Sequence, residues 1–209
     1  MWYRHLADHL QVPLVNADRM MMSVLPEVTN NQKLPQWAAT LRDTNTNWMK
    51  VSQNGVRAFV AHAMAEKVPF AMETVFSHWR DHGNGHIESK LDLITDMQAA
   101  GYFVVLLFVG LANSVLSIAR VSTRVATGGH DVPVDKLVSR FPRTQKAVQA
   151  AAVVADATIM VDNSRTPSDA FTVCRIQLLE SEVYDLRRNR KSVPAEIRAW
   201  LDVVIPSTS

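Results

Sequence analysis

The stretch GYFVVLLFVGLA, Gly101 to Ala112, decides how this sequence is read. A run of β-branched, aliphatic and aromatic side chains between Gly101 and Gly110 is the profile of a strand buried on both faces, as in the middle of a parallel sheet. It is too short to cross a bilayer, which takes about 20 apolar residues. Before it, SKLDLITDMQAA (89–100) has helical periodicity and stops at Gly101, where a helix C-terminus favours glycine. After it come a helix, SVLSIARVSTRVA (114–126), and a turn, TGGHDVP (127–133). Two further helices follow, VDKLVSRF (134–141) and RTQKAVQAAAVVA (143–155), then a strand, ATIMVD (157–162).

The N-terminal half alternates in the same way. WYRHLADHL (2–10) reads as helix and VPLVNAD (12–18) as strand. A helical region over 34–66 has an irregular patch at DTNTNW (43–48), and VPFAMET (68–74) is a second strand. Strands separated by helices predict an α/β fold, a three-layer sandwich around a mostly parallel sheet. With no repeat, low-complexity tract or linker, residues 1–209 read as a single domain. Its tail, 165–209, carries a candidate strand FTVCRIQLL (171–179) and a helix PAEIRAWLDVV (194–204).

Composition excludes several classes. Of 209 residues, 47% are hydrophobic and 20% charged, the balance of a globular protein. A net charge of +2 argues against nucleic acid or an anionic membrane as partner. A lone cysteine, Cys174, fits a reducing compartment and reads as a buried strand residue. With His5, Asp8 and His9 in place of an apolar leader, the expectation is a cytoplasmic protein.

Familiar enzyme motifs are missing. A phosphate loop of the form G-x-x-x-x-G-K-[ST] needs a glycine directly before its lysine, and no lysine in this chain has one. There is no dinucleotide fingerprint, no zinc spacing and no G-x-S-x-G elbow. What remains lies just after the strands, where open α/β sheets collect their ligands: Asp18, Glu73, Gly110 to Asn113, and Asp162 to Ser164.

Asp18 has two readings. As a base it would orient a substrate hydroxyl and accept its proton; as a helix N-cap it would be structural, which spacing alone favours. Glu73, with Thr74, Ser77 and His78 nearby, suits a polyhydroxylated ligand and equally suits a first helical turn. Arg120 and Arg124, four apart, share a helix face. With the Gly128-Gly129 hinge, His130, Arg140 and Arg143 they compose either a lid over a triphosphate or a solvated basic helix. LRRNRK (186–191) reads as a solvated surface turn, and Met20 to Met22 as packing residues.

In this order, VNADR (15–19), FAMETVFS (70–77), GYFVVLLFVGL (101–111), ARVSTRVATGGHDVP (119–133), RFPR (140–143) and VDNS (161–164) resemble the zeta toxin family, small kinases of the P-loop class. The resemblance runs from about Leu10 to Ser164, and 165–209 reads as a variable tail. It implies that Asp18 is the catalytic base and that Glu73 holds the acceptor, with Thr74 or Ser77 assisting. It implies that Arg120, Arg124, His130, Arg140 and Arg143 close on the nucleotide. The implied reaction is ATP-dependent phosphorylation of a nucleotide sugar such as UDP-N-acetylglucosamine, with Mg²⁺. An antitoxin-like protein is the implied partner. The family's phosphate loop and its strand precede the helix that here reads WYRHLADHL. The expectation is therefore an incorrect or shortened start; the alternative is an inactive member that binds a nucleotide sugar or protein without turnover.

Overall fold

The computed structural model describes residues 8, 11–27, 33–83, 85, 87–126, 132–166, 168–188 and 193–206. The expected helix over 2–10, Asp8 apart, and the Gly128-Gly129 turn with His130 lie outside them. The chain forms two compact units, Met1–Val75 and Phe76–Ser209.

The first unit is built on a short parallel strand pair, β1 (Leu14–Val15) and β2 (Ala71–Met72), in register Leu14↔Ala71 and Val15↔Met72. Ala71 N–H donates to the Pro13 carbonyl (2.8 Å) and Glu73 N–H to the Val15 carbonyl (3.0 Å). Parallel strands need a long crossover, here made by α1 (Ala17–Met22), α2 (Gln36–Asp43) and α3 (Thr46–Glu66). The irregular DTNTNW patch is the break between α2 and α3: Asn45 Oδ1 accepts the Trp48 N–H at 2.9 Å and caps the second helix. That helix ends at Lys67, in the left-handed region at φ 57°. Its core face carries Val60 and Ala63. The Met20 Cε lies only 3.1 Å from where a Cβ on Gly55 would sit, so this mid-helix glycine lets α1 approach α3 closely. Met21 is buried while Met22 is partly exposed, so the methionine run packs on one side only.

The second unit begins with an antiparallel hairpin, β3 (Trp79–Asp81) and β4 (Ile87–Ser89). It continues through α4 (Leu91–Ala99), β5 (Val105–Gly110), α5 (Ser114–Ala126), α6 (Val134–Val154) and β6 (Ala157–Asp162). Gly101, at φ +86°, ends α4 as expected. The last elements are β7 (Thr172–Leu178), β8 (Ser181–Asp185), a 3-10 turn (Leu186–Arg188) and α7 (Ala195–Val204). The α/β class stands as read, with β5 and β6 paired in parallel. The tail then extends the four-stranded sheet, order β5-β6-β7-β8, with antiparallel strands.

Three sequence expectations are corrected. β5 is not buried on both faces: Leu106 and Phe108 face the core, whereas Val105 and Leu107 are each 53% exposed. Its side chains alternate between a packed and an exposed face, so the apolar run reflects strand propensity more than burial. The two helices predicted on either side of Pro142 are a single helix, α6. Pro142 cannot donate to the fourth residue back, Val138. Neighbouring carbonyls take side-chain donors: Arg143 Nε to Ser139 O (3.1 Å) and Thr144 Oγ1 to Arg140 O (3.0 Å).

The third correction concerns LRRNRK. Arg187 is half-buried rather than solvated, with Nε and a terminal nitrogen on Asp185 (3.0 and 2.6 Å) and the other terminal nitrogen on Asp202 (2.7 Å) and the Ile205 carbonyl (2.9 Å); Arg188 is exposed as expected, and 189–191 lie outside the described residues. Burial pushes the Asp185 carboxyl up, but the bonds from Arg187 outweigh it and hold it below its ordinary value. This ties β8 to α7, and α7 supplies Ile197, Trp200, Leu201 and Val204 to the core beside Val148, Ala152, Met160 and Cys174. The described residues after 164 thus contribute to the sheet and core of the second unit.

Candidate functional site

In the first unit the two strand ends place Asn16 and Glu73 side by side. Asn16 leaves β1 with extended backbone and caps α1: its Oδ1 accepts the Arg19 N–H at 2.9 Å. The same side chain's Nδ2 donates to Glu73 Oε2 at 2.7 Å. Asp18 therefore is not the cap; it sits exposed in the first turn of α1. A carboxylate there is favoured by the helix dipole and stays open to solvent and ligand. Glu73 is not in a helix start either. It follows β2 in irregular chain, exposed, with Thr74 exposed beside it in sequence. Two carboxylates and an amide so placed can accept and orient hydroxyl groups, which is the chemistry a sugar needs.

The remaining candidates lie in the second unit. Ser77 is buried, 8% exposed. His78 donates from Nε2 to Glu88 (2.8 Å), as does His82 (3.0 Å), in the tautomers protonated there. These bonds, that from His78 first, hold the Glu88 carboxyl below its ordinary value.

At the carboxyl ends of β5 and β6 the chain satisfies itself. Asp162 is fully buried and accepts from Ser164 N–H (2.8 Å) and Arg165 Nε (3.0 Å). Asn163 N–H donates to Gly110 O (2.9 Å), and Ala112 N–H to Ser164 Oγ (2.7 Å). Arg120, exposed on α5, donates to the Asn163 carbonyl at 2.8 Å. Arg124 is exposed one turn along the same helix, while Arg140 and Arg143 lie within α6, half-buried and exposed. Gly110 is a packing position: a Cβ there would clash with the indole of Trp200.

Asn16, Asp18 and Glu73 fit a hydroxyl-bearing acceptor. Among the described residues no group of three or more His, Cys, Asp or Glu could hold a metal ion. No helix among the described residues is long and apolar enough to cross a membrane.

Asn16 and Arg187 are the residues that sequence reading missed. An Asn two places before an acidic first turn is a cap signal, so Asn16 was within reach. Arg187 looked like part of a charge run, and nothing local points to Asp202.

No protein-family model and no characterised protein matches the sequence. Among solved structures, the chain is similar to one from the PezAT chromosomal toxin-antitoxin system of Streptococcus pneumoniae. Identity is 11% and the TM-score 0.48, over 94% of this chain and 68% of that one. At those values the likeness fixes neither family nor activity.

Proposed function

We propose that the β1/β2 strand ends bind a nucleotide sugar or similar polyhydroxylated acceptor, and that this is the acceptor side of a zeta-toxin-like phosphotransferase. The observation that carries the reading is the 2.7 Å bond from Asn16 to Glu73, with Asp18 two residues beyond Asn16 at the head of α1. The motif order from VNADR to VDNS supports the same reading. Glu73 accepts hydrogen bonds from the acceptor's hydroxyls and fixes its orientation. Asp18 takes the proton of the reacting hydroxyl as its oxygen becomes nucleophilic. ATP with Mg²⁺ supplies the phosphoryl group when bound.

A second reading, acceptor binding without turnover, is favoured by one specific observation. Arg120, the first of the arginines assigned to the nucleotide, is already bonded to the Asn163 carbonyl. In either reading an antitoxin-like protein is a proposed partner.

Calorimetric titration of the full chain with UDP-N-acetylglucosamine, and separately with ATP and Mg²⁺, tests both. The kinase reading expects both ligands to bind. Acceptor binding alone supports binding without turnover. Absence of acceptor binding overturns both.

A further inference from the structure

We infer that Asn16 is a positioning residue that locks the Glu73 carboxylate in register with the head of α1, and that it must be an amide to do so. The inference rests on the acceptor reading above and adds a residue to it. Asn16 uses both ends of its side chain. Oδ1 accepts from the Arg19 N–H at 2.9 Å, and Nδ2 donates to Glu73 Oε2 at 2.7 Å. The partners fix which way round the amide lies, because a backbone N–H can only donate and a carboxylate can only accept. Turning the amide over would lose both bonds at once.

Glu73 is held from the same place twice. Its N–H donates to the Val15 carbonyl at 3.0 Å, and its side chain is met by the next residue, Asn16. Backbone and carboxylate are thereby fixed over a separation of 57 residues in sequence. No other bond to the Glu73 carboxylate is formed among the described residues, and the side chain is exposed, so Oε1 is left for a ligand. A carboxylate at position 16 would cap α1 as well as Asn does. It would, however, place like charge against Glu73 and remove the donor. Capping alone therefore does not explain the amide; the bond to Glu73 does.

Asn16→Asp separates the two roles, because it keeps the cap. With UDP-N-acetylglucosamine as probe, the full-chain variant should bind about tenfold or more weakly than wild type at pH 7.5. Equal affinity, or a loss that follows a fall in melting temperature, overturns the inference. A ligand-free measurement keeps the two proposals apart. In ¹H–¹⁵N spectra of the full chain, Glu73→Gln should shift the Asn16 side-chain amide resonance. An unmoved resonance overturns the clamp whatever the ligand does. A shifted resonance in a protein that binds no UDP-N-acetylglucosamine supports the clamp and overturns the acceptor reading.

Discussion

The indole of Trp200 donates to Gln145 Oε1 at 3.0 Å, with both residues buried and the ring lying against Gly110. This bond joins α7 to α6 inside the core of the second unit. Trp200→Ala should cost about 3–5 kcal/mol. Gln145→Leu should cost about 1–3 kcal/mol, because it strands a buried N–H. Adding Trp200→Phe to Gln145→Leu removes the stranded donor, so the double variant should be no less stable than Gln145→Leu alone. Denaturant unfolding followed by circular dichroism reads all of these; a double variant whose losses simply add would show that the bond matters little.

Gly110→Ala should destabilise the second unit by about 1–3 kcal/mol through overpacking against Trp200 and Phe108. The second-site change Trp200→Leu should recover part of that loss by making room. If Gly110→Ala is neutral to thermal melting, the ring does not lie where we place it.

The Arg187 cluster sets an acid limit on stability. Asp185 is held below its ordinary value, so its contribution is complete above the unfolded carboxyl value of about 3.9 and is lost as pH falls through the lower folded value. Arg187→Met should cost about 3 kcal/mol at pH 7, since it removes the hydrogen-bonding partner of a buried carboxylate and leaves only Arg175, at 3.4 Å, beside it. The penalty should shrink as the medium is acidified and Asp185 becomes neutral. Unfolding at a series of pH values measures this, and a penalty unchanged at pH 3 would contradict it.

At the strand ends the two carboxylates should behave differently. Glu73→Gln should weaken acceptor binding about tenfold or more, whereas Asp18→Asn should leave it within about twofold. Where the chain transfers a phosphoryl group, Asp18→Asn should slow turnover by about 10²–10⁴-fold. Titration and a coupled ADP assay separate the two effects.

Much of the fold was legible because its signals are local. Gly101 ends α4, Asn45 sits in the irregular patch that breaks α2 from α3, and ATIMVD forms β6. What escaped depends on residues far apart. β3, β4 and β8 are three to five residues long, too short to show a period. The exposed face of β5 could not be read from its sequence, because an unbroken apolar run carries no alternation to mark it. The carboxylates Asp18 and Glu73 were found from their places after strands, but the Asn16 bond that organises Glu73 spans 57 positions. Arg187 was read as solvated because its partners Asp185 and Asp202 come together only when β8 and α7 meet.

The most direct test of the central claim is to locate UDP-N-acetylglucosamine on the full chain by ¹H–¹⁵N chemical-shift mapping. The account predicts that the perturbed resonances centre on Asn16, Asp18, Glu73 and Thr74 and fade in Glu73→Gln. Saturable binding that leaves these four unmoved would contradict it.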